Sequence, residues 1–360
     1  MKAAVCYEFG KPLVIEDIDI AEPGEGEVKV RVAATAVCHS DIHDMKGELP
    51  GPTPFVGGHE TAGYSDKMGA GITSVKTGDP VVVSLLASCG ECYYCSTGLP
   101  HLCTAKFAPP KAPRLHNKKG DVLGQKGSVG GFAEYVVVKE SQVVKIPADM
   151  PLDRAALLSC GVITGFGAVV NRTQVKPFQS VVVMGAGGVG INSIQGAALV
   201  GAYPIIVVDV LDSKMELAKN FGATHMVNAK REDAADEVRK LTNGRGADYV
   251  FVTVGSIEAI KQGFGMSGIR GTTVIIGLPN FKDTFCFSPL ELIPTEKNII
   301  GGFMGATNLA IDIPNLIAMY QTGRLKLDEL ITGRYPLDKI NEATDSTEKG
   351  EGLRNVIMFE

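Results

Sequence analysis

Apolar and polar positions change their rhythm partway along the chain. In residues 26–38, GEVKVRVAATAVC, Val28, Val30 and Val32 share one face while Lys29 and Arg31 take the other. This period of two predicts a half-buried strand. DPVVVSLLA and GGFAEYVVV predict further strands, and turns such as PGPTP separate such pieces, so the first 150 residues read as β-rich and irregular. Near Cys160 the rhythm becomes an alternation. SVVVMGAGGVG reads as a buried strand entering a glycine turn, INSIQGAALVGA as a helix, and PIIVVD as a second strand. SKMELAKNFGA and EDAADEVRKLTNG are helical in period, and HMVNA, ADYVFVTVG and GTTVIIG are strands. Strands alternating with helices at this spacing predict βαβ units and a doubly wound parallel sheet of the Rossmann kind, an α/β fold. After Gly301 one more helix, IDIPNLIAMYQTG, precedes a final strand in GLRNVIMF.

Composition narrows the class. The chain has 360 residues, 45% hydrophobic and 21% charged, which is enough for two domains and a substantial core. A net charge of -5 and no Lys/Arg run longer than a pair argue against a nucleic-acid partner. Residues 177–208 carry no charge over a length that could cross a bilayer. Six glycines, Pro204, Asn192 and Gln195 break that stretch into two short apolar runs, so a strand-turn-helix-strand is expected and no membrane span. MKAAVCYEFG reaches Glu8 before a signal-peptide core could form. The expected location is the cytoplasm, where disulfides rarely persist.

Half of the eight cysteines lie in CGECYYCSTGLPHLC, as Cys89, Cys92, Cys95 and Cys103. A redox C-x-x-C pair uses two thiols and leaves two without a purpose. Four thiolates close a tetrahedral shell around Zn²⁺, and a closed shell is structural, so the stretch reads as a zinc-stapled lobe. The basic segment that follows, KFAPPKAPRLHNKKGD, reads as solvated surface.

Gly185, Gly187, Gly188, Val189 and Gly190 complete a G-x-G-x-x-G turn between a strand and a helix, with Asp209 ending the next strand 19 residues after Gly190. Gly185 permits the tight turn, Gly187 lets backbone approach a pyrophosphate, and Gly190 lets helix and sheet pack closely. The helix N-terminus then offers free N–H groups to the phosphates. Asp209 would accept hydrogen bonds from ribose hydroxyls and repel a 2′-phosphate, which favours NAD over NADP. Lys214 reads equally as a ribose neighbour or as a helix-surface lysine.

GEVKVRVAATAVCHSDIH, GHETAG, the cysteine cluster, CGVITGFGA, GAGGVG, VIIGLP and GLRNVI together resemble the zinc-dependent medium-chain alcohol dehydrogenase family over nearly the whole chain. The resemblance implies a β-rich, GroES-like catalytic domain from both chain ends, residues 1–161 and 304–360, around a Rossmann domain, 162–303. It implies Cys38, His59 and Cys160 as ligands of a second, catalytic zinc with one open position, making two zinc ions per chain. It places Glu60 behind that zinc, against the alternative of a buried carboxylate paired with a nearby cation, and Asp41 as the carboxylate orienting His59. It implies a proton relay through Ser40 and His43, and cofactor contacts from His39, Thr164, Ile276, Leu278 and Arg354. Leu49, Leu85 and Leu278 are implied as pocket lining, an apolar surface that suits aliphatic or aromatic alcohols. The expected reaction is reversible hydride transfer between a primary or secondary alcohol and NAD.

Two departures are local: Asp66 and Lys67 stand where the family's strand is usually apolar, and Pro80 stands at a strand start. Cys6 and Cys286 are left as expected buried fillers. The long lobe between Cys103 and Cys160 leans towards a homodimer over a tetramer. Two other functions stay in view: a glutathione-dependent formaldehyde dehydrogenase, whose anionic substrate would need a basic rim from Lys106 or Arg114, and a non-catalytic NAD-binding sensor or structural protein.

Overall fold

The computed structural model describes residues 1–110 and 112–360. The chain divides into two compact units, Met1–Gly161 with Asn308–Glu360, and Val162–Thr307. The second division lies four residues beyond the expected one, because the turn Met304–Ala306 belongs with the inserted unit: a Cβ at Gly167 would meet the carbonyl oxygen of Gly305 at 2.4 Å.

In the first unit the strands Lys2–Cys6, Val14–Ile20, Leu115–Asn117, Val122–Gln125 and Phe55–Val56 close a small barrel. A second sheet is built on Glu27–Ala36, which pairs with Glu60–Met68, Tyr135–Lys139 and Arg354–Met358. The alternation in this strand does what its period implies. Val28, Val30 and Val32 are buried with Val81, Val83, Val136 and Val138 in one core, while Lys29 and Arg31 lie over the rings of Tyr135 and Tyr64. The strand Glu60–Met68 runs unbroken through Asp66 and Lys67, whose polarity is accommodated at the strand's end, with Lys67 Nζ 3.0 Å from Glu22. Pro80 is the first residue of its strand, where it removes no needed donor.

The chain's end belongs to its beginning. Arg354–Met358 lies between Glu27–Ala36 and the parallel strand Ile331–Pro336. Asp153, on the helix Leu152–Leu157, fastens this return by accepting from Arg154 at 2.9 Å and from Arg334 at 2.8 Å. Burial would raise the Asp153 carboxyl, but these two guanidinium groups hold it below the ordinary carboxylate range.

The second unit is a six-stranded parallel sheet, in the order His225–Asn228, Ile205–Asp209, Val181–Met184, Ala247–Val252, Ser267–Ile275, Asn298–Gly301. Numbered along the chain this is 3-2-1-4-5-6, so the order reverses beside Val181–Met184, where such sheets bind ligands outside the strand ends. Helices Gly188–Leu199, Asp212–Lys219, Ala234–Leu241 and Ile257–Met266 supply the crossovers. The residues 177–208 resolve into strand, helix and strand, and among the described residues no helix is long and apolar enough to cross a membrane. Cys6 is buried, but Cys286 is exposed because its neighbour Phe285 takes the place against the sheet core.

A depressed carboxyl contributes stability that is present above about pH 4 and lost as pH falls through its folded value. Asp153→Asn should therefore lower unfolding free energy by about 1–2 kcal/mol at pH 7, a modest figure because both arginines are partly exposed. Urea unfolding should show the gap closing as pH falls below the ordinary carboxylate range, and a gap independent of pH would contradict this account.

Candidate functional site

The Sγ atoms of Cys89, Cys92, Cys95 and Cys103 all lie within 4.8 Å of one another. Cys92 Sγ is 3.6 Å from Cys95 Sγ and 3.9 Å from Cys103 Sγ. Tetrahedral bonds of about 2.3 Å to a central Zn²⁺ would set sulfurs about 3.8 Å apart, so the cluster fits the ion. Backbone N–H groups point at the sulfurs: Cys89 and Ala105 donate to Cys103 Sγ at 3.3 and 3.4 Å, and Cys92 donates to Cys89 Sγ at 3.3 Å. Backbone donors at Cys95 and Thr104 hold the Cys92 thiol at about 6. Desolvation, followed by hydrogen bonds with Cys92 and Cys103, pushes Cys95 up to about 11. Backbone donors thus favour charge on Cys92, while loss of solvent opposes it on Cys95. Four thiolates can coexist there only around a cation.

A second group, Cys38, His59, Glu60 and Cys160, is fully internal, again with one ligand atom from each within 4.8 Å of the others. Its members come from different parts of the chain. Cys38 leads into the short helix His39–Met45, His59 precedes the strand Glu60–Met68 that Glu60 opens, and Cys160 follows the helix Leu152–Leu157. Asp41 orders two of these segments. Its Oδ2 accepts from the Cys38 N–H at 2.9 Å, and its Oδ1 accepts from the Gly58 N–H at 3.1 Å and from His59 Nδ1 at 3.0 Å. A carboxylate only accepts, so Nδ1 carries the proton and Nε2 keeps its lone pair for a metal. Ser40 Oγ lies 3.4 Å from that Nε2.

Charge in this group is tightly shared. The hydrogen bond from Cys160, and then His59, hold the Cys38 thiol well below its ordinary value against the effect of burial. Burial pushes the Glu60 carboxyl up to about 8, while Arg354 pulls it down. The Arg354 guanidinium touches Glu60 Oε2, and Glu60 Oε1 is buried with no hydrogen-bond partner among the described residues. A Cβ at Gly161 would come within 2.5 Å of Arg354 Nη2, so this glycine keeps room for the guanidinium. Two thiols, an imidazole nitrogen with its proton held elsewhere, and an orphaned carboxylate oxygen suit zinc. Arg354, implied as a cofactor contact, is also the cation that pairs with Glu60.

On the helix His39–Met45, His39 is exposed and its ring meets that of His43 edge-on, with centroids 5.5 Å apart. His43 Nδ1 is bonded to the carboxylate of Glu48, a partner that nothing in the sequence pattern singled out.

The glycine turn has the conformation its spacing implies. Gly185 sits at φ +90°, a Cβ on Gly190 would lie 1.8 Å from the Gly185 carbonyl oxygen, and nothing lies within 4 Å of one on Gly187. Gly188 and Val189 form the first turn of the following helix. Asp209 Oδ2 accepts from the Ala186 N–H at 2.7 Å, and its Oδ1 accepts from the N–H groups of Val210 and Leu211 at 2.7 and 2.9 Å. Lys214 is half-buried on Asp212–Lys219, Thr164 Oγ1 is 3.5 Å from Met304 Sδ, and the Ile276 N–H bonds to Val252 at 2.9 Å. Leu278 is half-exposed and Leu49 half-buried, whereas Leu85 packs against the valine core. Arg114 is buried against Glu27 and donates to the Val137 carbonyl at 2.9 Å.

Two family models match the chain, an alcohol dehydrogenase GroES-like domain over residues 24–148 and a zinc-binding dehydrogenase over residues 188–322. A putative alcohol dehydrogenase D of Mycobacterium tuberculosis is 40% identical over 365 residues, covering 99% of both chains. An NDMA-dependent alcohol dehydrogenase of Amycolatopsis methanolica is 39% identical over 366 residues, covering 99% of this chain and 98% of its own. The crystal structure of benzyl alcohol dehydrogenase from Acinetobacter calcoaceticus superposes with a TM-score of 0.93 at 33% identity, covering 100% of this chain and 99% of that one.

Replacing Asp41 with Ala removes the acceptor of three hydrogen bonds at once. Chelator competition should show the Cys38–His59–Cys160 site losing about 10–100-fold in zinc affinity, with the four-cysteine site unchanged. Equal affinity in the variant would show that Asp41 does not organise the site.

Proposed function

The chain belongs to the zinc-dependent medium-chain alcohol dehydrogenases, and from that premise we propose that it uses NAD to oxidise apolar primary or secondary alcohols at the Cys38–His59–Cys160 centre. The observation that carries this proposal is the donor set itself: two thiols and one oriented imidazole nitrogen, gathered from three segments around a buried spot. Cys38, His59 and Cys160 would hold a zinc ion whose charge lowers the pKa of an alcohol hydroxyl, as it lowers that of water from about 15.7 to about 7. Cys89, Cys92, Cys95 and Cys103 would hold a second ion that staples the lobe and does no chemistry.

The other roles follow from placement. Asp41 keeps His59 in the tautomer that can bind metal. Arg354 holds one oxygen of Glu60, which limits how fully that carboxylate can close the site as a fourth ligand. Ser40, with its hydroxyl beside His59, is placed to accept the substrate's proton, and His43, on the same helix and partly exposed, to pass it towards water. The Gly185–Gly190 turn and Asp209 would hold NAD, the two-electron acceptor.

Likeness to a benzyl alcohol dehydrogenase makes aromatic primary alcohols the first to try. The commitment of Arg114 to Glu27 weighs against an anionic glutathione adduct. A second reading concerns the oxidant: the 39% identical relative is NDMA-dependent, so this chain would be tested with that acceptor as well as with free NAD. Eight free cysteines fit a reducing cytoplasm. The edge strand Asn298–Gly301, with Ile269, Leu290 and Ile293 each more than 70% exposed in the same unit, supports pairing of two copies into a homodimer.

Purified protein should carry two zinc ions per chain and reduce NAD with benzyl alcohol. Cys38→Ser or Cys160→Ser should abolish turnover with little change in thermal midpoint, while Cys103→Ser should chiefly lower the midpoint. Turnover that survives complete zinc removal would refute the reading.

A further inference from the structure

Glu48 takes no part in the assignments above, yet it is tied to His43 twice. Its backbone N–H donates to the His43 carbonyl oxygen at 2.9 Å, and its carboxylate bonds Nδ1 of the same residue's ring. Gly47 makes this possible: at φ +70° it turns the chain directly after the helix His39–Met45, folding Glu48 back over the last turn. The two side chains are only 22% and 35% exposed, so this is a sheltered contact and not a passing surface pair. On its other side the His43 ring rests against the edge of His39. Other ionisable groups on and just after this helix have their own partners: Asp41 with His59, Asp44 with Lys126, and Lys46 with Glu348 of the helix Ile340–Glu348; Cys6 is the further titratable neighbour of Asp44.

We propose that Glu48 is a positioning residue for proton release, its carboxylate fixing His43 in the tautomer whose Nε2 is free to accept a proton. The proposal rests on the relay reading of Ser40 and His43. Its chemistry follows from the acceptor-only nature of a carboxylate: bonded at Nδ1, it forces the proton there and leaves the lone pair on Nε2. The step is proton movement alone. An N–H bond forms at Nε2 as the O–H bond of the donor breaks, the imidazolium so formed is stabilised by the adjacent carboxylate, and Nε2 then returns the proton to water. Removing the carboxylate lets the ring rotate or switch tautomer, so only a fraction of molecules present the right nitrogen.

The test compares Glu48→Gln, Glu48→Asp, His43→Ala and the double variant His43→Ala/Glu48→Gln in the zinc-loaded, full-length enzyme. Alcohol oxidation is followed across pH 6–10, with zinc content and unfolding midpoint as controls. Glu48→Gln should lower kcat by about tenfold near neutral pH, part of the 10²–10⁴ that positioned acid–base groups contribute. The loss should shrink at high pH, leave KM nearly unchanged, and be partly restored in Glu48→Asp. Because Glu48 acts through His43, the double variant should be no slower than His43→Ala. Nitrogen NMR of labelled histidine should show one His43 tautomer in the wild type and a mixture in Glu48→Gln. If His43→Ala leaves the pH profile unmoved, the relay reading fails. If His43→Ala alters it while Glu48→Gln does not, or if the two losses multiply, the role of Glu48 is overturned on its own.

Discussion

One buried carboxylate holds the chemistry together. Asp41 is 2% exposed and accepts from the backbone of Cys38, the backbone of Gly58 and the ring of His59. A buried charge is tolerable only when its lone pairs are met by donors, and here they are. The cost of desolvating Asp41 is offset by bonds that bring two ligand segments into register and dictate which nitrogen of His59 faces the thiols. Ser40 precedes Asp41 on the same helix, so the hydroxyl beside His59 is set by the same anchor. A metal-ligand cluster needs its groups held to a fraction of an ångström, and a rigid three-point acceptor does that where a flexible loop could not.

The cation of this site comes from the opposite end of the chain. Arg354 and Glu60 are 294 residues apart in sequence and in contact in space. The strand carrying Arg354 slots between the first-laid strand of the sheet and Ile331–Pro336, and Asp153 bonds an arginine of the latter. Fold and site therefore share their fastenings. The sheet gives the guanidinium its position, and the guanidinium gives an otherwise costly internal carboxylate a partner.

Local pattern was legible from the residues alone. The valines at 28, 30 and 32 announce a one-sided strand, the glycines at 185, 187 and 190 a turn with distinct demands at each place, and four close cysteines a metal lobe, because each signal is written within a dozen or so residues. Pairings across the fold were not. Arg114 reads as a surface cation in a basic loop and proves to be buried against Glu27. Leu85 reads as pocket lining, and its packing against the valine core is not written in its neighbours. Glu48 lies only five residues from His43, yet the contact depends on a left-handed glycine between them, and a lone glutamate after a glycine carries no signature. The grouping of Cys38, His59 and Cys160 was accessible only through family resemblance, since their spacing has no period.

The split first unit also bears on how the polypeptide is born. As it leaves the ribosome, its first 161 residues wait while Val162–Thr307 is synthesised, roughly 10–30 s at ordinary translation rates. The inserted unit is continuous and can collapse on its own before synthesis ends. Arg354 follows the inserted unit in the chain, so Glu60 spends that interval without its countercharge. The barrel, drawn wholly from residues 2–125, can close during that interval, whereas the second sheet must wait for Ile331–Pro336 and Arg354–Met358.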